Sequence, residues 1–111
     1  MVEELDWSVG RILETLKKYK LDKNTFVVFF SDNGPVINNG GSTGGYRGAK
    51  GAPWEGGHRV PGICYMPGIV KGGTMCKQTV MSFDLFPTML DMANIHYDDS
   101  KKKLDGASLV P

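Results

Sequence analysis

The chain has 111 residues, a hydrophobic content of 41% and a formal net charge of +1, from 13 Lys and Arg against 12 Asp and Glu. This length predicts a single domain over residues 1–111, with enough apolar residues for a core. The balanced charge, with no basic patch, argues against nucleic-acid binding. The lack of a long apolar run argues against a membrane span, and the acidic start is unlike a secretory signal peptide.

The first predicted element is an amphipathic helix at the start of the chain. Its apolar residues recur at helical spacing, and its last turn is rich in lysine, where the helix dipole favours cations. We expect this helix to lie on a sheet as part of the scaffold. Its apolar positions are Val2, Leu5, Val9, Ile12, Leu13 and Leu16.

A strand is predicted next, over residues 25–30. Its residues are apolar at consecutive rather than alternating positions, which is typical of a strand covered on both faces in a parallel sheet. Asp32 and Asn33 follow it directly, at the end of a strand where α/β proteins bind ligands. Their carboxylate and amide oxygens suit calcium or magnesium. By itself, however, Asp-Asn-Gly is more typical of a turn.

A long glycine-rich segment, residues 34–57, separates this strand from the next. Loops of this length in compact domains tend to be functional or disordered, and the aromatic residues Tyr46 and Trp54 predict that this one packs. Lys50 is a candidate positive charge for an anion held by the metal, the alternative being a solvated surface lysine. Lys50 lacks the following Ser or Thr that a nucleotide-binding P-loop requires.

The later part of the chain predicts a second strand and a second helix. The apolar run 62–66 is closed by Pro67 and Gly68, and its long separation from the first strand predicts a parallel pair. A helix is expected to begin near Asp84, which can cap it, with Pro87 in the first turn. The residues predicted to face inward from this helix are Leu85, Met89, Leu90 and Ala93.

Three motifs stand out by their residues and spacing: Ser31-Asp32-Asn33-Gly34-Pro35, Tyr46-Arg47-Gly48-Ala49-Lys50-Gly51 and Trp54-Glu55-Gly56-Gly57-His58-Arg59-Val60-Pro61. Together they resemble the sulfatases of the alkaline phosphatase superfamily. Residues 66–68, 82–88 and 104–106 extend this resemblance over nearly the whole chain, and the general pattern is that of arylsulfatases and N-acetylgalactosamine-6-sulfatases. The resemblance implies an α/β, alkaline-phosphatase-like fold of which this chain forms a partial domain.

The resemblance also implies roles for individual residues. Asp32 and Asn33 match two calcium ligands, and Lys50 matches a lysine that touches the sulfate oxygens, a catalytic and substrate-binding position. Residues 55–57 match a motif that shapes the wall of the site. Arg59 is expected to pack or to form an ion pair rather than to clamp the substrate. The implied substrate is a sulfated small molecule or a sulfated sugar.

The family's nucleophile is a formylglycine made from a cysteine in a Cys-x-Pro-x-Arg cassette. Neither Cys64 nor Cys76 has this context, and a calcium ion takes about six to eight oxygen ligands, of which this chain offers one obvious pair. We therefore expect a fragment of the later part of a sulfatase domain, with the cassette upstream and no turnover alone. Relatives of this kind are lysosomal, secreted or periplasmic. The two cysteines could be bonded to each other, or be free and buried.

Two alternatives stay open at this point. One is a phosphoesterase or phosphonate hydrolase of the same superfamily, because sulfate and phosphate esters share their shape. The other is a non-enzymatic, sulfatase-derived chain that binds calcium or a partner. An incomplete sheet would in either case leave edges through which the chain could self-associate.

Overall fold

A computed structural model describes residues 1–100 and 102–110. The chain divides into two compact units, Met1–Thr74 and Met75–Pro111, and each is described by itself. The first unit contains the helix α1 (Val2–Lys18), the strand β1 (Val27–Phe30), the short helix α2 (Glu55–His58) and the strand β2 (Gly62–Tyr65). It also has 3-10 turns at Asp22–Asn24 and Ile37–Asn39. The second unit contains a 3-10 turn at Ser82–Asp84 and the helix α3 (Leu85–Met92).

The predicted first helix is confirmed as α1. It carries acidic residues in its first turn and Lys17 and Lys18 in its last, as its macrodipole favours. Within the described residues, the turn Asp22–Asn24 is the only element whose backbone comes close to that of α1, so the expected position on the sheet stays a prediction. The apolar stripe is only partly exposed: Val2 and Ile12 are 81% and 56% exposed, whereas Val9, Leu13 and Leu16 are half-buried.

The two predicted strands form, but they pair in the opposite sense to the prediction. β1 and β2 are antiparallel, with Val27 opposite Tyr65 and Phe30 opposite Gly62. A parallel partner would require the chain to travel back along the strand, usually through a long crossover helix. The only helix between the strands is the four-residue α2. The intervening loop therefore leaves and re-enters the sheet at the same end.

This two-stranded sheet is not covered as a central strand would be. Phe30 in β1 is 45% exposed and Ile63 in β2 is 60% exposed. No hydrophobic side chain among the described residues is buried. The consecutive apolar residues of β1 therefore predict a covering layer, and the described part of this chain does not provide one.

The second unit begins its helix where predicted, although the capping chemistry differs. Asp84 precedes α3, but its carboxylate does not cap that helix. Instead, Oδ2 accepts the Met81 N–H at 2.8 Å and Oδ1 accepts the Ala107 N–H at 3.0 Å. Asp84 thus ties the end of this unit to the start of α3. Pro87 lies at the third position of α3, where its missing N–H leaves no helical bond unmade.

The predicted inward face of α3 is only partly correct, because Leu85 and Leu90 are half-buried whereas Ala93 is exposed. Met89 is 51% exposed, whereas Thr88, one position earlier, is 2% exposed. The Thr88 hydroxyl donates to the Asp84 carbonyl at 2.6 Å and accepts the Leu109 N–H at 3.0 Å. The segment after residue 104 therefore covers the helix on its threonine side. Polar contacts help to position this segment.

Helices with a small sheet confirm the α/β class in partial form. Cys64 and Cys76 are both free and both exposed, so the expectation that free thiols would be buried is wrong. Within residues 1–100 and 102–110, no helix has both the length and the apolarity to cross a membrane.

Candidate functional site

A cleft of about 660 Å³ lies in the first unit at the end of β1. The antiparallel pairing creates it, because the chain leaves the sheet after Phe30 and returns at Gly62. Residues from both sides of the glycine-rich loop therefore meet there. The cleft is lined by Ser31, Asn33, Gly34, Pro35, Val36, Ser42, Thr43, Gly44, Tyr46, Lys50, Arg59, Val60 and Pro61.

Backbone hydrogen bonds hold the three predicted motifs together at this cleft. The Gly34 N–H donates to the Gly57 carbonyl at 2.8 Å, and the Lys50 N–H donates to the Pro35 carbonyl at 3.0 Å. The first bond fixes the segment after β1 to α2. The second places the Lys50 backbone beside the turn that carries Asn33.

Glycine is required where these segments cross. Gly34, Gly56 and Gly57 are all buried. A Cβ on Gly34 would overlap the Gly56 carbonyl, and one on Gly56 would overlap the Gly48 carbonyl. Gly48 itself has a φ of +83°, a backbone conformation that other residues rarely adopt. Gly56 and Gly57 thus pack against the segments around the cleft through backbone contacts, although residues 55–57 are not among its lining residues.

The two predicted metal ligands occupy different positions. Asn33 is half-buried and lines the cleft, whereas Asp32 is exposed and does not line it. The Asn33 side-chain NH₂ donates to the Gly34 carbonyl at 2.9 Å, which leaves its Oδ1 as an acceptor. Ser31 Oγ donates to the Asn33 carbonyl at 2.9 Å and closes the turn. Residues 31–34 therefore form a turn, as the sequence Asp-Asn-Gly predicted.

The donor set matches calcium in type but not in number. A carboxylate and an amide oxygen are hard ligands of the kind that calcium prefers. Among the residues described, no group of three or more His, Cys, Asp or Glu side chains is arranged to hold a metal ion. Asp32 and Asn33 can therefore supply only part of a calcium site.

The cleft carries positive charge. Lys50 and Arg59 are the charged side chains that line it, and no carboxylate is among the lining residues. Lys50 is exposed, so its ammonium is accessible to a ligand that enters the cleft. Such a cleft favours an anion.

Two arginine–aromatic contacts join the glycine-rich loop to the chain around α2. The Arg47 guanidinium lies 3.7 Å from the centre of the Trp54 ring, and that of Arg59 lies 4.4 Å from the centre of the Tyr46 ring. Arg59 Nη1 also bonds to Glu55 Oε1 at 3.0 Å. The predicted ion-pair role of Arg59 is therefore confirmed. Its place in the cleft wall was not predicted, since no spacing rule links residues 46 and 59.

The sulfatase family model matches residues 1–95 of this sequence. The chain belongs to the sulfatase family. The resemblance inferred from the three motifs is therefore confirmed over most of the sequence.

Curated sulfatases match almost the whole chain. Steryl-sulfatase from Rattus norvegicus is 39% identical over 118 aligned residues, covering 99% of this chain and 20% of that protein. N-acetylgalactosamine-6-sulfatase from Mus musculus is 40% identical over 114 residues, covering 99% of this chain and 22% of that protein. The chain thus spans about a fifth of the length of these relatives.

Solved structures support the same fold. The crystal structure of Ps i-CgsB in complex with k-i-k-neocarrahexaose matches with a TM-score of 0.93 and 35% identity, covering 100% of this chain and 24% of that chain. The PsFucS1 sulfatase from Pseudoalteromonas sp. matches with a TM-score of 0.75 and 34% identity, covering 83% of this chain and 19% of that chain. The partial α/β sulfatase fold is therefore shown.

Proposed function

We propose that this chain contributes part of the calcium and sulfate-binding site of a sulfuric ester hydrolase. The observation that carries the proposal is the cleft at the end of β1, where Asn33 and Lys50 meet although they are far apart in sequence. Its cationic lining suits a sulfate group, and the relatives reported above are sulfatases. Because these relatives are named as sulfatases, we propose a sulfate ester as the substrate and not a phosphate ester.

The residues have distinct roles in this proposal. Asp32 and Asn33 offer hard oxygen ligands, and calcium, when bound, polarises the sulfate ester and stabilises charge on the nucleophile. Lys50 places its ammonium against the sulfate oxygens and neutralises their charge. The hydrogen bond from the Lys50 N–H to the Pro35 carbonyl keeps this lysine beside the ligand turn.

The nucleophile and the remaining calcium ligands are proposed to lie outside these residues. Neither cysteine has the cassette from which a formylglycine is made, and the chain matches about a fifth of its relatives' length. We expect no turnover from residues 1–111 alone. The substrate is proposed to be the sulfate ester of a sugar or of another small molecule, as the names of the relatives suggest.

Replacing Asp32 tests the metal role. In the full-length protein that carries this sequence, we expect Asp32→Ala to abolish calcium binding, measured by isothermal titration calorimetry, and hydrolysis of an aryl sulfate. Asp6→Ala, at an exposed position of α1, is the matched control because it removes the same charge far along the chain from the Asp32–Asn33 turn. Retention of both calcium binding and hydrolysis by Asp32→Ala would remove the metal role.

Replacing Lys50 tests the sulfate role separately. We expect Lys50→Ala to lower kcat/KM by roughly 10²–10³-fold, the usual loss when a charge-stabilising donor is removed, with calcium binding unchanged. Lys23→Ala is the control for loss of a surface lysine. Near-normal kinetics in Lys50→Ala would refute the role of this lysine.

A comparison of substrates tests the phosphoesterase alternative. If the unmutated full-length protein hydrolysed a phosphate ester faster than a sulfate ester, that alternative would be favoured.

A further inference from the structure

We propose that Arg59 is a positioning residue that holds the glycine-rich loop, and with it Lys50, against the wall of the cleft. The expected effect of Arg59 on turnover rests on the proposed function of Lys50. The contact that carries it is the Arg59 guanidinium stacked on the Tyr46 ring, 4.4 Å from the ring centre. Both residues line the same cleft as Lys50.

The loop needs such a tether because of its composition. Gly44, Gly45, Gly48 and Gly51 all have φ angles between +63° and +92°. Glycine backbones lose more conformational freedom on ordering than other residues. A loop built from them keeps one conformation only where other contacts hold it. Tyr46 is the side chain through which Arg59 can do so from outside the loop.

Arg59 is itself held in place by a second contact. Its Nη1 bonds to Glu55 Oε1 at 3.0 Å across one turn of chain, and its backbone N–H donates to the Glu55 carbonyl at 2.7 Å. The planar guanidinium can therefore present its face to Tyr46 while one edge is fixed by the carboxylate. An ammonium could keep the ion pair, but it has no planar face to stack and therefore contacts the ring over a smaller area.

A second arginine–aromatic contact lies next to the first, and here the arginine belongs to the glycine-rich loop. Two contacts therefore attach the loop to the chain around α2. Arg47, the residue after Tyr46, stacks on Trp54 at 3.7 Å, and its carbonyl accepts the Gly56 N–H at 2.8 Å. The loop is thus attached at adjacent positions to both ends of α2. Only the Arg59 contact faces the cleft, because Arg47 and Trp54 are not among its lining residues.

Hydrogen exchange tests the positioning directly, in the full-length protein that carries this sequence. We expect Arg59→Lys and Tyr46→Leu to speed amide exchange at Lys50, whose N–H bonds to the Pro35 carbonyl, by about 5–10-fold. Tyr46→Phe keeps the ring and should exchange at the native rate. Arg11→Lys is the matched control, because Arg11 forms a comparable exposed pair with Glu14 at 3.0 Å. Native exchange at Lys50 in Arg59→Lys would overturn the proposal.

A double-mutant cycle tests the kinetic consequence. Arg59→Lys should lower kcat/KM for an aryl sulfate about 5–10-fold in the native background and have no further effect in Lys50→Ala, because the residue acts through Lys50. Additive losses would mean that Arg59 does not act through Lys50, and would overturn that route. If Lys50→Ala alone is silent, the proposed function fails, while the exchange result still decides whether Arg59 positions the loop.

Discussion

Cys64 shows how a local environment alters the chemistry of a single side chain. It lies in β2 and is exposed, yet desolvation by its neighbours raises the pKa of its thiol above the ordinary value. Alkylating reagents react with the thiolate rather than with the thiol. A raised pKa therefore lowers the reactive fraction of Cys64 at any pH below that pKa.

Alkylation kinetics should report this shift. In a Cys76→Ser variant, where Cys64 is the remaining thiol, we expect the rate of reaction with iodoacetamide to rise with pH. Its midpoint should be higher than that of the unstructured peptide Gly-Ile-Cys-Tyr. Unfolding the variant in urea should bring the midpoint back to the peptide value. A folded midpoint at or below that of the peptide would contradict the prediction.

The residues of the site differ in how far they could be predicted. Asn33 and Lys50 could be identified from sequence because they belong to motifs with definite spacing. Arg59 and Tyr46 could not be paired, since a cation–π contact has no sequence signature at this separation. The exposure of Asp32 outside the cleft wall could not be predicted either, because neighbouring residues in a turn point in different directions.

The crossing of the segments near α2 is the element-scale feature on which the site depends. We expect Gly56→Ala to lower the free energy of unfolding by about 1–3 kcal/mol, the usual cost of overpacking, because its Cβ would overlap the Gly48 carbonyl. Urea denaturation measures this loss. Gly72→Ala is the control, because its Cβ would have no neighbour within 4 Å. If the two variants were equally stable, the close contact between Gly56 and the Gly48 carbonyl would not be needed for stability, which would contradict the prediction.

In the second unit, the buried Thr88 hydroxyl is one of the groups that join α3 to the segment after residue 104. Thr88→Val keeps the shape but leaves the Leu109 N–H without its acceptor. We expect a loss of about 1–3 kcal/mol in the free energy of unfolding and faster amide exchange at Leu109. Thr88→Ser retains the hydroxyl and should lose less. Native exchange at Leu109 in Thr88→Val would show that this bond does not hold the segment.

The molecule as a whole exposes apolar surface that an isolated domain would normally bury. No hydrophobic side chain of residues 1–100 and 102–110 is buried, and apolar side chains of α1 and of the sheet are exposed, among them Val2, Ile12, Phe30 and Ile63. Exposed apolar patches and open strand edges promote association. The apolar pattern is thus typical of elements that another layer covers.

We therefore predict that residues 1–111 self-associate when expressed alone. Sedimentation velocity should show concentration-dependent oligomers, and Ile63→Thr should reduce them, because Ile63 is 60% exposed on β2. Ile95→Thr removes a comparably exposed isoleucine, at 56%, outside the sheet and serves as the control. A monodisperse monomer with a sharp unfolding transition would contradict this prediction.

The sequence by itself determined the family, the existence of α1, β1, β2 and α3, and the identity of the candidate ligands, because periodicity and motif spacing are local properties. Only the tertiary structure decided that β1 and β2 are antiparallel, that Thr88 is the buried residue of α3 and that Arg59 meets Tyr46. These features depend on contacts between distant residues. Strand direction in particular follows from the path of the 31-residue connection between β1 and β2, and apolar pattern alone carries no information about that path.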